Sequence, residues 1–227
     1  IASSDKVKKV QKDFEATHVR PQRLMKTLFT DEAYVKANVD EARLMRRLFD
    51  LACNMQSHDT DMQLYSLFTD EECYDLWSCN NLYWYLTHAC SPVTDGLMPY
   101  READLLRNIL DRADAALKEG KNQATLRFGH ESCLLPLVAL LELNHYGESY
   151  PDVEKLSEQW RAYDIFPMAS NVQFVFFHKK GSNDVLVKVL LNEKETKLPV
   201  KTDVAPYYHW KDVESYYREK LDKYQHI

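Results

Sequence analysis

His130 and Glu131 stand side by side where an extended apolar segment gives way to an apolar helix. In α/β folds ligands bind beyond the carboxyl ends of strands, and a helix amino end there offers free N–H groups and a positive dipole that suit a phosphate. An imidazole can donate to a phosphate oxygen, and a carboxylic acid can protonate a departing alcohol. The pair therefore fits phosphoryl transfer to water. The same two residues also fit a hydrogen-bonded histidine at a strand end followed by an ordinary first-turn acid.

Three residues before His130, Arg127 falls on the opposite face of an alternating strand and is expected to serve the fold, with substrate binding as the alternative role. Near the start, Lys6, Lys8, Lys9 and Lys12 form a basic run, followed by Arg20, Arg23 and Lys26. These cations could line a pocket for a polyphosphate, or they could be solvated helix faces. His58, His88, His145, His178, His209 and His226 show no ligand spacing. Trp77, Trp84 and Tyr85 recur at helical spacing, as core residues do.

The elements that position the His-Glu pair change character along the chain. Residues 1–120 read as a mainly α-helical domain. From Asp40 to Gln56, Leu44, Leu48, Leu51 and Met55 form one stripe, and from Tyr100 to Lys118, Leu106, Ile109, Leu110, Ala113 and Leu117 form another. The phrases Leu28-Phe29-Thr30-Asp31-Glu32 and Leu67-Phe68-Thr69-Asp70-Glu71-Glu72 mark two helix starts, with Thr30 and Thr69 as caps and Glu72 closing a capping box. Ser91-Pro92 ends an aromatic helix.

Residues 121–227 read as a mixed part. Gln123–Gly129 is predicted as a strand and Cys133–Leu143 as a helix capped by Ser132, with Pro136 in its first turn. Asn171–His178 and Asp184–Leu191 are predicted as a hairpin covered on both faces. Lys197–Val200 is expected to add an edge strand, and Trp210–Lys223 a closing helix. One parallel-strand candidate and one hairpin fall short of a doubly wound sheet, so further strands are expected from outside these residues.

The chain has 227 residues, 45% of them hydrophobic, which is enough for a substantial core. A net charge of -6 argues against a nucleic-acid partner. No stretch approaches the roughly 18 uncharged apolar residues of a membrane helix. The opening Ile1-Ala2-Ser3-Ser4-Asp5 does not read as a signal peptide. The five cysteines lack zinc-ligand spacing, and no metal or cofactor is expected. Cys73, Cys79 and Cys90 are expected on one helix, too far apart to pair, and most of the five are expected to be buried free thiols.

The run Leu126-Arg127-Phe128-Gly129-His130-Glu131-Ser132-Cys133-Leu134-Leu135-Pro136-Leu137 resembles the second signature of the histidine acid phosphatases, especially the multiple inositol polyphosphate phosphatase branch that includes phytases. Trp77–Pro92, Leu105–Ala116 and the segment Phe166–Asn171 with its hairpin resemble that family's helices and its return into the sheet. The resemblance implies an α/β, phosphoglycerate-mutase-like catalytic domain, here partial, with an α-helical cap. It implies a phosphomonoester hydrolase acting on an inositol polyphosphate such as phytate, in a periplasmic or secreted setting. His130 would bind the phosphate and Glu131 would be the proton donor.

In that family the nucleophile is the histidine of Arg-His-Gly-x-Arg-x-Pro, which forms a phosphohistidine. That motif is absent from these 227 residues, so the nucleophile is expected upstream and the chain alone is expected to be inactive. The missing segment could be a separate polypeptide that stays bound. The family writes the acid as His-Asp or His-Ala-Glu, and His-Glu-Ser departs from both. The alternative is a non-catalytic helical protein with a degenerate half-site that binds a phosphate ligand or a partner chain.

Overall fold

The computed structural model describes residues 2–121 and 123–224. Packing divides the chain into two compact units, Ser3–Tyr83 and the residues from Trp84 onward. The change of sequence period near residue 120 lies inside the second of these.

The first unit is helical: α1 (Asp5–His18), α2 (Gln22–Leu28), α3 (Glu32–Asn38), α4 (Glu41–Asn54) and the first part of α5 (Asp70–His88). At Thr69 the reciprocal capping box forms as expected. Its hydroxyl accepts from the Glu72 N–H at 3.2 Å, and the Glu72 carboxylate accepts from the Thr69 N–H at 3.0 Å. At α3 the cap is not Thr30 but Asp31, which accepts from the Tyr34 N–H at 2.9 Å. A carboxylate adds charge to the same geometry and gains more from the helix dipole. The buried face of α4 centres on Met45 and Ala52, leaving Leu51 of the predicted stripe exposed.

Ion pairs join these helices. Arg46 meets Glu15, Arg20 meets Glu71 and Asp75, and Arg23 holds the Glu72 carboxylate through two nitrogens. Phe68 is buried and packs edge-on against Phe49 at 5.8 Å. Of the five thiols, all free, only Cys79 is fully buried, while Cys133 is exposed and Cys90 lies beyond the end of α5.

The second unit continues with α6 (Ala103–Glu119), α7 (Glu131–Leu140), α8 (Leu156–Gln159) and α9 (Ala162–Ile165). The strands β1 (Val172–His178), β2 (Val185–Leu191), β3 (Lys194–Glu195) and β4 (Tyr208–His209) follow, then α10 (Trp210–Tyr224). α6 ends where Gly120 turns left-handed at φ 65, the conformation glycine adopts without steric cost.

At its centre lies α7, buried from Leu135 to Leu140. The 3-10 turn Met98–Glu102 and α9 pack against it. Its carboxyl end is closed by α10: Lys220 donates to the Leu140 carbonyl at 2.6 Å and Tyr217 to the Leu141 carbonyl at 2.8 Å. A cation and a phenol thus satisfy terminal carbonyls that have no partner within the helix. The helix starts two residues earlier than the sequence suggests. Ser132 is therefore inside it rather than capping it, and Pro136 lies in its second turn, not its first. The missing proline N–H leaves the Ser132 carbonyl without its helical donor, near the exposed first turn.

The hairpin forms as predicted, antiparallel with Val172 opposite Leu191 and His178 opposite Val185. Cover is uneven: β2 buries alternate residues, whereas β1 stays half-exposed and Phe177 is open. Lys197–Val200 is not a strand. The ladder on β2 is made instead by β3 at Leu190 and Leu191 and by β4 at Leu186 and Val187. Leu198 spends its N–H on the Tyr208 hydroxyl and Lys197 on the Asn144 side chain.

The largest departure concerns the predicted strand Gln123–Gly129. Among the described residues this stretch pairs with no other backbone, and Leu126 and Phe128 are 75% and 93% exposed. Alternation and β-favouring residues select an extended conformation, but a strand exists only through its ladder.

Burial separates the consequences of substitution. Leu135→Ala should lower unfolding free energy by about 2–5 kcal/mol, because Leu135 is fully buried. Phe128→Ser should change it by less than about 0.5 kcal/mol. Equilibrium denaturation of the 227-residue chain measures both, and a large loss at Phe128 would show that the segment is packed in solution.

Candidate functional site

His130 occupies the cap position of α7 with extended backbone, φ -112 and ψ 166, and its side chain makes no capping bond. Its carbonyl accepts from the N–H groups of Cys133 and Leu134 at 3.0 and 3.1 Å. The ring is exposed beside the first turn, and Glu131, the first helical residue, is exposed as well. The helix amino end therefore presents an imidazole, a carboxylate and a positive dipole to solvent together. That set can bind an anion and exchange a proton with it.

Arg127 donates to the Asn108 side chain at 2.7 Å, which ties the extended segment to α6. Arg20, Arg23 and Lys26 belong to the other unit. There the guanidinium of Arg20 is engaged by Glu71 and Asp75 and that of Arg23 by Glu72, while Lys26 is exposed in the last turn of α2. Of the sequence candidates, the geometry brings His130 and Glu131 together, and it commits Arg20 and Arg23 to carboxylates.

No ligand spacing marks His88 along the chain. It is buried at the end of α5, with Nδ1 2.7 Å from the Thr87 hydroxyl and its ring 4.8 Å from Trp84, which in turn packs on Phe166 at 4.9 Å. Burial pushes its pKa down to about 4, the charge of Arg101 pushes in the same direction, and the carboxylate of Glu131 opposes both. A neutral imidazole thus lies within the electrostatic reach of Glu131.

A cavity of about 320 Å³ opens at the other end of α7, lined by Cys90, Tyr100, Leu140, Glu142 and Lys220 among others. Within it Lys220 pairs with Glu142 at 3.1 Å. It does not include His130 or Glu131.

The buried neutral His88 implies a pH effect with a definite sign. Its folded pKa lies below the ordinary value, so between about pH 6.5 and 4 the unfolded chain binds the extra proton and stability falls as pH falls. His88→Gln should flatten that limb, measured by thermal unfolding from about pH 7 down to 4. An equally steep limb in the variant would assign the acid sensitivity to other groups.

Comparison with known proteins gives the family of the chain. The family model for the histidine phosphatase superfamily, branch 2, matches residues 2–192. Human multiple inositol polyphosphate phosphatase 1 is 28% identical over 134 residues, which is 53% of this chain but 27% of that protein. Multiple inositol polyphosphate phosphatase of Bifidobacterium longum has been solved in complex with inositol hexasulfate. It superposes with a TM-score of 0.62 at 22% identity, over 78% of this chain and 38% of that one. The phosphate complex of the same enzyme gives a TM-score of 0.63 at 21% identity, covering 81% and 40%. The chain thus spans well under half the length of these relatives. The helices and the antiparallel sheet are part of the histidine phosphatase fold, and with the family match extending over most of its length the chain belongs to branch 2 of the histidine phosphatase superfamily.

Proposed function

We propose that this chain is part of a phosphomonoester hydrolase of the histidine acid phosphatase type, acting on inositol polyphosphates such as phytate. The observation that carries the proposal is the pairing of His130 and Glu131, both exposed, at the uncapped amino end of α7. Family membership and the inositol hexasulfate and phosphate bound by the bacterial relative support it.

A substrate phosphate docks against the His130 imidazole and the positive end of α7. A histidine supplied from outside these 227 residues attacks phosphorus, forming an N–P bond as the ester P–O bond breaks. Glu131 gives its proton to the departing inositol oxygen, and the resulting carboxylate takes a proton from the water that then cleaves the phosphohistidine. Glutamate reaches about one methylene further than the aspartate the family places there, so the same oxygen is within range of a carboxyl one residue after His130. Arg127 stands beside this machinery on the extended segment. Arg20, Arg23 and Lys26 are secondary here, because the two arginines already balance acids of α5. An extracytoplasmic location, periplasmic or secreted, goes with the proposal, as does a partner segment bearing the nucleophile, within the same polypeptide or as a second chain.

The test uses the protein encoded by the whole gene alongside the 227-residue chain. In the whole protein, Glu131→Gln should lower kcat on phytate by roughly 10²–10⁴-fold. It should affect p-nitrophenyl phosphate less, because that leaving group needs little protonation. His130→Ala should weaken phosphate binding. The 227-residue chain should release no phosphate from either substrate. Release by the short chain that disappears in His130→Ala would overturn the assignment of the nucleophile to sequence outside it. Phosphate-ester binding without hydrolysis by the whole protein would favour a non-catalytic binding role.

A further inference from the structure

His209 lies in β4, immediately before α10, and carboxylates face its ring from both edges. Nδ1 stands 3.1 and 3.0 Å from the two oxygens of Asp184, and Nε2 stands 2.9 Å from Asp203. Asp184 directly precedes β2, at the end of the hairpin loop. Asp203 sits in the loop leading into β4, where Thr202 donates to the Tyr207 carbonyl at 2.7 Å and accepts from the Val204 N–H at 3.2 Å. These two acids are the charged groups that face the ring from the elements packed around it.

A neutral imidazole has one N–H and one bare nitrogen. It can donate to either aspartate, but the bare nitrogen then confronts the lone pairs of the other. Only the imidazolium, with two N–H groups, satisfies both carboxylates at the observed distances. β4 meets β2 through two residue pairs, Leu186 with His209 and Val187 with Tyr208, and Tyr207 packs edge-on against Phe177 at 5.1 Å.

We propose that His209 is a proton-operated clasp. As the imidazolium it fastens the Asp203 loop and β4 to the base of the β1–β2 hairpin, and as the neutral ring it releases one carboxylate and loosens that edge of β2. The Asp184 and Asp203 hydrogen bonds both raise the ring's pKa, and the Asp203 carboxyl is lowered in return. A raised folded pKa fixes the sign. The contribution of the clasp is complete below the ordinary histidine value of about 6.5 and is lost as pH rises through the folded value above it. The device favours a tight fold in acid and is independent of the hydrolase proposal.

The test follows the His209 ring by NMR and thermal unfolding of the 227-residue chain and of His209→Gln, from about pH 5.5 to 8.5. The ring is expected to titrate above about 6.5. The wild type should be the more stable by a few degrees at the acid end, with the difference closing as the ring titrates. Amide exchange at Val187 should quicken along the same curve. Should His209→Gln fail to fold, Asp203→Asn at its exposed position removes one jaw, and the ring's pKa should drop relative to wild type. A ring that titrates at or below about 6.5 overturns the clasp. So does a stability difference constant across the range, or a ring unmoved by Asp203→Asn.

Discussion

From Leu135 to Leu141 every residue is buried, and a helix that is apolar on all sides must be covered on all sides. Much of the second unit is arranged to meet that demand. The 3-10 turn at Met98–Glu102 and the short α9 lie against α7, and α10 closes its carboxyl end through Lys220 and Tyr217. α10 is fixed in turn by Arg218, which meets Asp111 and Asp114 of α6, and by the Trp210 N–H on Asp114. Burying α7 therefore fixes its direction as well as its position.

The candidate site follows from the same polarity. One end of α7 is anchored and its carbonyls are satisfied, while the other emerges from the core with its dipole facing solvent and its cap position filled by a histidine that makes no capping bond. A serine, threonine or aspartate at that position would direct its side chain onto the helix amides and compete with an anion for them. His130 leaves them available. Glu131 follows at the next position, and the buried, neutral ring of His88 lies within reach of its charge.

The helical unit is organised by a different interaction. Three acids in the first turns of α5, Glu71, Glu72 and Asp75, receive Arg20 and Arg23 from the segment around α2. Glu72 serves both as the far half of the Thr69 capping box and as the acceptor of the Arg23 guanidinium. The arginines that looked available for a polyphosphate in the sequence are thus spent on fixing where α5 begins.

The sequence by itself determined those features that depend on neighbours close along the chain. Legible there were the extents of α4, α6 and α10 to within a few residues, the Thr69 capping box, the β1–β2 hairpin and the His130-Glu131 pair ahead of an apolar helix. Helix caps, amphipathic spacing and short hairpins are local interactions, so their signals lie within a dozen residues. The tertiary structure alone decided what depends on distant partners. Gln123–Gly129 has the composition of a strand, yet no described backbone pairs with it. In Lys197–Val200 the amides of Lys197 and Leu198 go to the Asn144 side chain and the Tyr208 hydroxyl instead of a ladder. The pairings of Arg20 and Arg23 with α5 and of Asp184 with His209 each join residues far apart in sequence. Packing selects such pairs from many chemically equivalent alternatives, and no local pattern distinguishes the one that forms.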